Sequence, residues 1–264
     1  MRYQLTLPAA GRVAVTAAGA LAAAMLSLAP AHAASIVKFA DFAQDPTAGS
    51  INVRWKNAGT GGSLFTIATP LSTSLGAAKV LFNFDLPFLS GLSNLNANYT
   101  LNVTVPSGNP AVNIGNSFDQ PGLTGSFKFI YSGPAQTIGI YNLTPGENLL
   151  SATFFNDGDM TGKKKGTAGS IFDSTESGGV IIYTSDILSF ATSQERDMSF
   201  SLNAVKPGFG FTAGKALNSF TAAETGEFGV AVPEPATWAM TILGFGFLGA
   251  TLRRRRNATA AAAA

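Results

Sequence analysis

The chain has 264 residues, no cysteine, one histidine and 12 % charged residues, with a formal charge of +2. Six of its 17 basic residues (Arg2, Arg12 and Arg253 to Arg256) and one of its 15 acidic residues (Glu234) lie near the ends, so the stretch 34–230 keeps 11 basic and 14 acidic residues and is net −3. A weakly acidic body gives nucleic-acid binding no electrostatic support, and a body whose only histidine, His32, lies before it excludes a Ser-His-Asp triad, a Cys-His nucleophile, a typical zinc site and haem ligation.

The first element is an export address. Arg2 and Arg12 supply a positive n-region, and residues 13–29 are apolar, Ala-rich and uncharged. Ala31-His32-Ala33 follows Pro30 and forms a small-residue cleavage pattern, which places the cut between Ala33 and Ala34. Residues 1–33 therefore read as a signal peptide and signal peptidase as the first partner. A compartment beyond the inner membrane would permit disulfides, yet the chain uses none, so its stability rests on burial and hydrogen bonding.

Residues 34–230 form one domain by length, large enough for a real core. Short apolar-polar alternations run through it. Ile51, Val53 and Trp55 face one way, as do Tyr99, Leu101, Val103 and Val105. Phe127, Phe129 and Tyr131 share a face, and Phe200 and Leu202 alternate with Ser199, Ser201 and Asn203. A period of two is that of half-buried strands. Further strands are expected at 35–42, 64–68, 79–84, 137–141, 149–155, 179–184, 187–191 and 219–230, with a short helical turn near 86–92. Turn residues recur every 8–15 positions. The spacing predicts an all-β fold, an antiparallel, jelly-roll-like β-sandwich of roughly 9–12 strands. Its phenylalanines fill the space between sheets, and Trp55 points inward, away from any role in sugar stacking.

Three polar clusters stand out. Asn156-Asp157-Gly158-Asp159 puts two carboxylates around a glycine, and Asp157 and Asp159 are the candidate calcium ligands. The EF-hand spacing is absent, however, and Lys163, Lys164 and Lys165 follow at once, so the stretch to Gly169 reads better as an exposed hairpin tip. The Lys triplet is either a solvated loop or a contact for acidic polysaccharide. Glu195-Arg196-Asp197 reads as a charged turn between strands, and 222–229 either as a linker or as a last strand. No pair of carboxylates sits in a recognisable catalytic motif, so the body is expected not to be an enzyme and to need no cofactor.

The last element is the most specific. Pro233, Glu234 and Pro235 precede Trp238, Ala239 and Met240, an uncharged run over 236–252, and Arg253, Arg254, Arg255 and Arg256. The two prolines fix φ and lack N–H groups, which keeps the triplet out of helix and central strand. Seventeen residues as a helix span about 25 Å, near the lower limit for a bilayer core. Trp238 suits the interface, Gly244, Gly246 and Gly249 suit a membrane helix, and four arginines form a cytoplasmic stop. Residues 257–264 are a low-complexity tail, expected to be disordered.

This ordered set, residues 231–256, resembles the PEP-CTERM sorting signal in its PEPxxWA form, with Thr241 where an apolar residue is usual. The resemblance implies recognition of Pro233, Glu234 and Pro235 by an exosortase-like processing protease of Gram-negative bacteria that make extracellular polysaccharide. It further implies removal of the helix and release of the body to the cell surface or matrix. It covers only the end of the chain. The resulting expectation is a non-enzymatic exported surface or extracellular-matrix protein in the setting of exopolysaccharide or biofilm. A secreted polysaccharide-binding or -cleaving module is one alternative, and a permanently tail-anchored envelope protein another.

Overall fold

The computed structural model describes residues 35–232 except Ser90 and Ser193. The expected signal peptide, sorting signal, membrane helix and tail lie outside these residues.

Fourteen strands follow one another: β1 Ser35–Gln44, β2 Val53–Asn57, β3 Gly62–Thr66, β4 Ala78–Phe84, β5 Leu95–Val105, β6 Val112–Ile114, β7 Ser117–Tyr131, β8 Gln136–Ile138, β9 Tyr141–Leu143, β10 Asn148–Lys163, β11 Gly169–Ser174, β12 Val180–Thr184, β13 Arg196–Lys206 and β14 Phe220–Val232. A 3-10 turn, Pro87–Leu89, stands where the helical turn is expected. The all-β, antiparallel class is as the alternation predicts. Twelve strands make one sheet, and β8 and β9 form a separate hairpin.

The sheet returns on itself. β14 pairs with β13, β13 with β11, β11 with β10, β10 with β7 and β7 with β5. Two bridges then join β5 back to β14. β4 and β1 close one half, where Leu95 to Tyr99 pair with β4 and Gly226 to Val232 with β1. β3 and β2 close the other half, where Asn102 to Val105 pair with β3 and Phe220 to Ala222 with β2. β5 and β14 thus serve as long staves, paired on both edges over most of their length, with short gaps at 100–101 and 223–225 between the bridging strands.

The interior is aromatic because the alternation puts it there. β5 is buried at every second position. Tyr99 stacks on Phe129 with centroids 4.6 Å apart. Phe228 of β14 meets Phe127 of β7 at 4.9 Å, although those strands do not pair, so opposed faces of the sheet touch through their rings. A glycine makes the closure possible: a Cβ on Gly226 would stand 2.8 Å from both Phe42 and Phe200, closer than packed carbon allows. Trp55 is fully buried, as its alternation predicts, and its indole N–H donates to the Leu217 carbonyl at 2.8 Å.

Several expectations need correction. Residues 156–159 lie inside β10, which runs unbroken to Lys163, so only Lys164 onward is hairpin tip. For residues 222–229, left open between linker and last strand, the strand holds: they are the middle of β14. The single strand expected at 137–141 is the β8–β9 hairpin, which turns at Gly139. No strand forms at 187–191; Ile187, Leu188 and Phe190 instead pack against the core from a loop. Arg196, expected in an exposed turn, opens β13 and is buried.

Candidate functional site

The two ends of the domain meet. β1 and β14 are antiparallel, and Ser35, the first described residue, pairs with Val232, the last. The expected cleavage residues Ala31, Ala33 and Ala34 and the sorting residues 233–256 lie outside the described part. The strands that lead from and to them share one end of the domain, hereafter the terminal pole. No linker stands between β14 and Pro233.

The candidate calcium ligands fall on one face of β10. Asp157 and Asp159 are two residues apart on a strand, so both point outward, half-buried. Burial, reinforced by the nearby charges of Asp119 and Asp157, pushes the Asp159 carboxyl up to about 6, while the Gly122 N–H acts against this. Mutual repulsion of this kind is relieved by a cation, but no group of three acidic side chains close enough to hold a metal occurs among the described residues. The Lys triplet sits at the far end of the same strand.

Three buried polar groups escaped the sequence reading. Glu224 lies on the inward face of β14, fully buried, and accepts a hydrogen bond from the Tyr99 hydroxyl at 2.7 Å. Its other oxygen has no partner. Asn52 grips the same backbone unit, accepting from the Glu224 N–H at 2.7 Å and donating to its carbonyl at 3.1 Å. Burial, only partly offset by Tyr99, pushes the Glu224 carboxyl up to about 8, so at neutral pH it is mostly protonated. Asp173, also buried, has no well-formed hydrogen bond to either carboxylate oxygen; burial raises it to about 6, with the nearby Ser174 N–H acting weakly against this and Asp157 and Asp159 adding to it. Arg196 spans the seam between β12 and β13, donating to the Ile181 carbonyl at 2.8 Å and the Ala191 carbonyl at 2.6 Å. A strand register predicts an inward side chain at position 224; nothing in the sequence alone says that an acid there has a tyrosine opposite it, 125 residues away.

The two best depressions lie along β1, β13 and β14, with Lys38, Asp197 and Glu227 among the polar residues at one and Asp41, Thr225 and Glu227 at the other. Trp55, Tyr99, Tyr131 and Tyr183 are all buried, so the aromatic rings open to solvent among the described residues are the half-buried Tyr141 and exposed phenylalanines such as Phe88, Phe155 and Phe172. The carboxylates of β10 lie near two further acids, Asp119 on β7 and Asp173 on β11, whose charges act on one another.

Comparison with known proteins supplies one match. Residues 231–256 fit the family model of the PEP-CTERM protein-sorting motif. The match overlaps the last two residues of β14 and then covers the stretch carrying Pro233 to Pro235, Trp238 and the four arginines. No curated protein and no solved structure matches the chain. The chain therefore carries a PEP-CTERM sorting motif, which implies export, a transient membrane anchor and processing by an exosortase-like protease.

Proposed function

We propose that this is an exported, non-enzymatic cell-surface or extracellular-matrix protein whose β-domain is released by removal of its sorting signal. The observation that carries the reading is the PEP-CTERM match over residues 231–256, adjoining a β-domain whose last strand ends at Val232. Signal peptidase cuts after Ala33. The run 236–252 then holds the chain in the inner membrane with Arg253 to Arg256 on the cytoplasmic side. An exosortase-like protease reads Pro233, Glu234 and Pro235 and frees the domain. A body without histidine or cysteine, closed around an aromatic core, is suited to a stable structural role.

Cell fractionation of the wild type beside a Glu234→Ala variant, followed by mass spectrometry of the mature termini, tests this. The wild type is expected in the surface or matrix fraction without Arg253 to Arg256, and the variant in the inner membrane with them. Equal distribution of both forms, or a released protein that keeps the arginine cluster, overturns the reading in favour of a permanent anchor or a different route.

A further inference from the structure

Charge in the β-domain is segregated along its long axis. At the terminal pole lie Asp85, Glu147, Glu176, Asp186, Glu195 and Asp197, outnumbering the cations there, Lys38 and the buried Arg196. The opposite pole carries Lys56, the triplet Lys163 to Lys165, Lys206 and Lys215, all exposed.

Hydrogen bonds place these lysines on one surface. The Lys165 N–H donates to the Phe209 carbonyl at 2.8 Å and the Lys164 N–H to Asn116 at 3.1 Å. The Lys215 carbonyl accepts from Ala111 at 3.0 Å, and Ala216 donates to Gly59 at 2.8 Å. Asn57, next to Lys56, donates to the Ala216 and Leu217 carbonyls. Lys206 pairs with Thr221, which pairs with Arg54 on β2, so the cationic surface continues onto the outer face. The loops are knit to one another through their backbones, and the exposed lysine side chains extend from this fixed base. The ion pairs found among the described residues are those of Lys38 with Asp41 and Asp85, elsewhere on the domain. The six lysines are not neutralised. Asp119, two residues inside the rim on β7, is half-buried.

We infer that this lysine pole is a binding surface for a carboxylated polysaccharide, a polymer with spaced anions and abundant hydroxyls. The inference deepens the reading as a surface or matrix protein by giving the domain a partner class. Lysines on separate loops are mobile point charges that suit single anions spaced along a polymer, without the bidentate fork that fixes one anion in one geometry. Only Arg54 stands near, half-buried. Exposed Asn116, Thr167, Asn203, Asn218 and Ser219 lie between the lysines and can bond sugar hydroxyls. No exposed aromatic ring stands at this pole for base stacking. Val112 and Ile114 on β6 are exposed nearby, but two side chains fall short of the apolar face that lodges in a lipid interface.

The test uses the mature protein, with binding to a polyuronate measured at low and high salt beside neutral dextran, duplex DNA and anionic lipid vesicles. Two variants are compared: Lys163→Gln/Lys164→Gln/Lys165→Gln, and a control lowering charge elsewhere, Lys79→Gln/Lys128→Gln, with near-ultraviolet circular dichroism to confirm folding. The wild type is expected to bind the polyuronate, to lose that binding as salt screens the charges, and to ignore dextran. The triplet variant is expected to bind at least tenfold more weakly and the control within about twofold of the wild type. No polyuronate binding at low salt, equal loss in both variants, or tighter binding to DNA or vesicles overturns the inference. Should the triplet variant misfold, Lys206→Gln/Lys215→Gln answers the same question. None of these outcomes alters where the protein is sorted, which the Glu234 variant reports separately.

Discussion

Glu224 is the residue whose protonation the fold constrains most. Its carboxyl sits on the inward face of β14 with Tyr99 and Asn52 as polar neighbours, and burial pushes it from 4.5 up to about 8. In the unfolded chain the group ionises near its ordinary value. The folded state therefore binds one more proton than the unfolded state between those two pH values. Stability is greatest below about pH 4.5 as far as this group is concerned, falls by roughly 1.4 kcal/mol per pH unit above it, and levels off above about 8. The full span is on the order of several kcal/mol, a sizeable share of a domain's stability. Glu224→Gln removes the ionisation and keeps an acceptor for the Tyr99 hydroxyl. Urea titrations from pH 5 to 9 are expected to show the wild type weakening towards alkaline pH and the variant changing far less. A wild type that gains stability over that range, or a variant that follows it step for step, would show that the carboxyl is solvated. The alternation that marks 219–230 as a strand was legible in the sequence. The identity of the inward residue facing Tyr99 was not, because a pairing partner 125 positions away leaves no local trace.

At the scale of elements, the weak place is the seam between β12 and β13. β10 carries β11 over Asp159 to Gly162 and β12 over Ser151 to Phe155, but only β11 goes on to pair with β13. β12 would present an open edge there. Arg196 covers it by bonding the Ile181 and Ala191 carbonyls, and the Tyr183 hydroxyl donates to the Asp197 carbonyl at 2.6 Å across the same gap. Replacing Arg196 by Met keeps most of the bulk and orphans two carbonyls. The expected cost is about 2–4 kcal/mol. It should be local: hydrogen exchange at β12 and the loop 185–195 is expected to accelerate, while β5 and β7 keep their protection. Uniform acceleration through the sheet would mean that the seam opens only with global unfolding. Sequence reasoning misplaced this device because Glu195-Arg196-Asp197 has the composition of a solvated turn. A charged residue is read as exposed until the structure shows carbonyls waiting for it. Residues 187–191 show the converse, since apolar residues in a loop can pack against a core without pairing.

For the whole molecule, the ends of the chain decide what processing can remove. β14 is bonded on both edges to its last residues: Ser35 pairs with Val232 and Arg196 with Val230, and the Ala231 N–H donates to the Glu195 carbonyl at 2.8 Å. Phe228 touches rings from β1, β7, β12 and β13 at the centre of the core. Truncation after Gly226 deletes this ring, the buried Val230 and the whole β1–β14 ladder beyond Phe42. Losing a buried Phe alone costs about 3–5 kcal/mol, so the total loss is of the order of a domain's entire stability. Truncation after Val232 deletes no described strand residue. A chain of residues 34–232 is therefore expected to melt cooperatively, while 34–226 is expected to be molten or aggregated by near-ultraviolet circular dichroism and thermal scans. The same argument bounds the natural cut. A protease that removed residues before Val232 would take staves from its own product, so the mature C-terminus is expected at or beyond Val232. Mass spectrometry of the released domain checks this directly, and a mature form that ends before Gly226 yet melts cooperatively would show that β14 is dispensable.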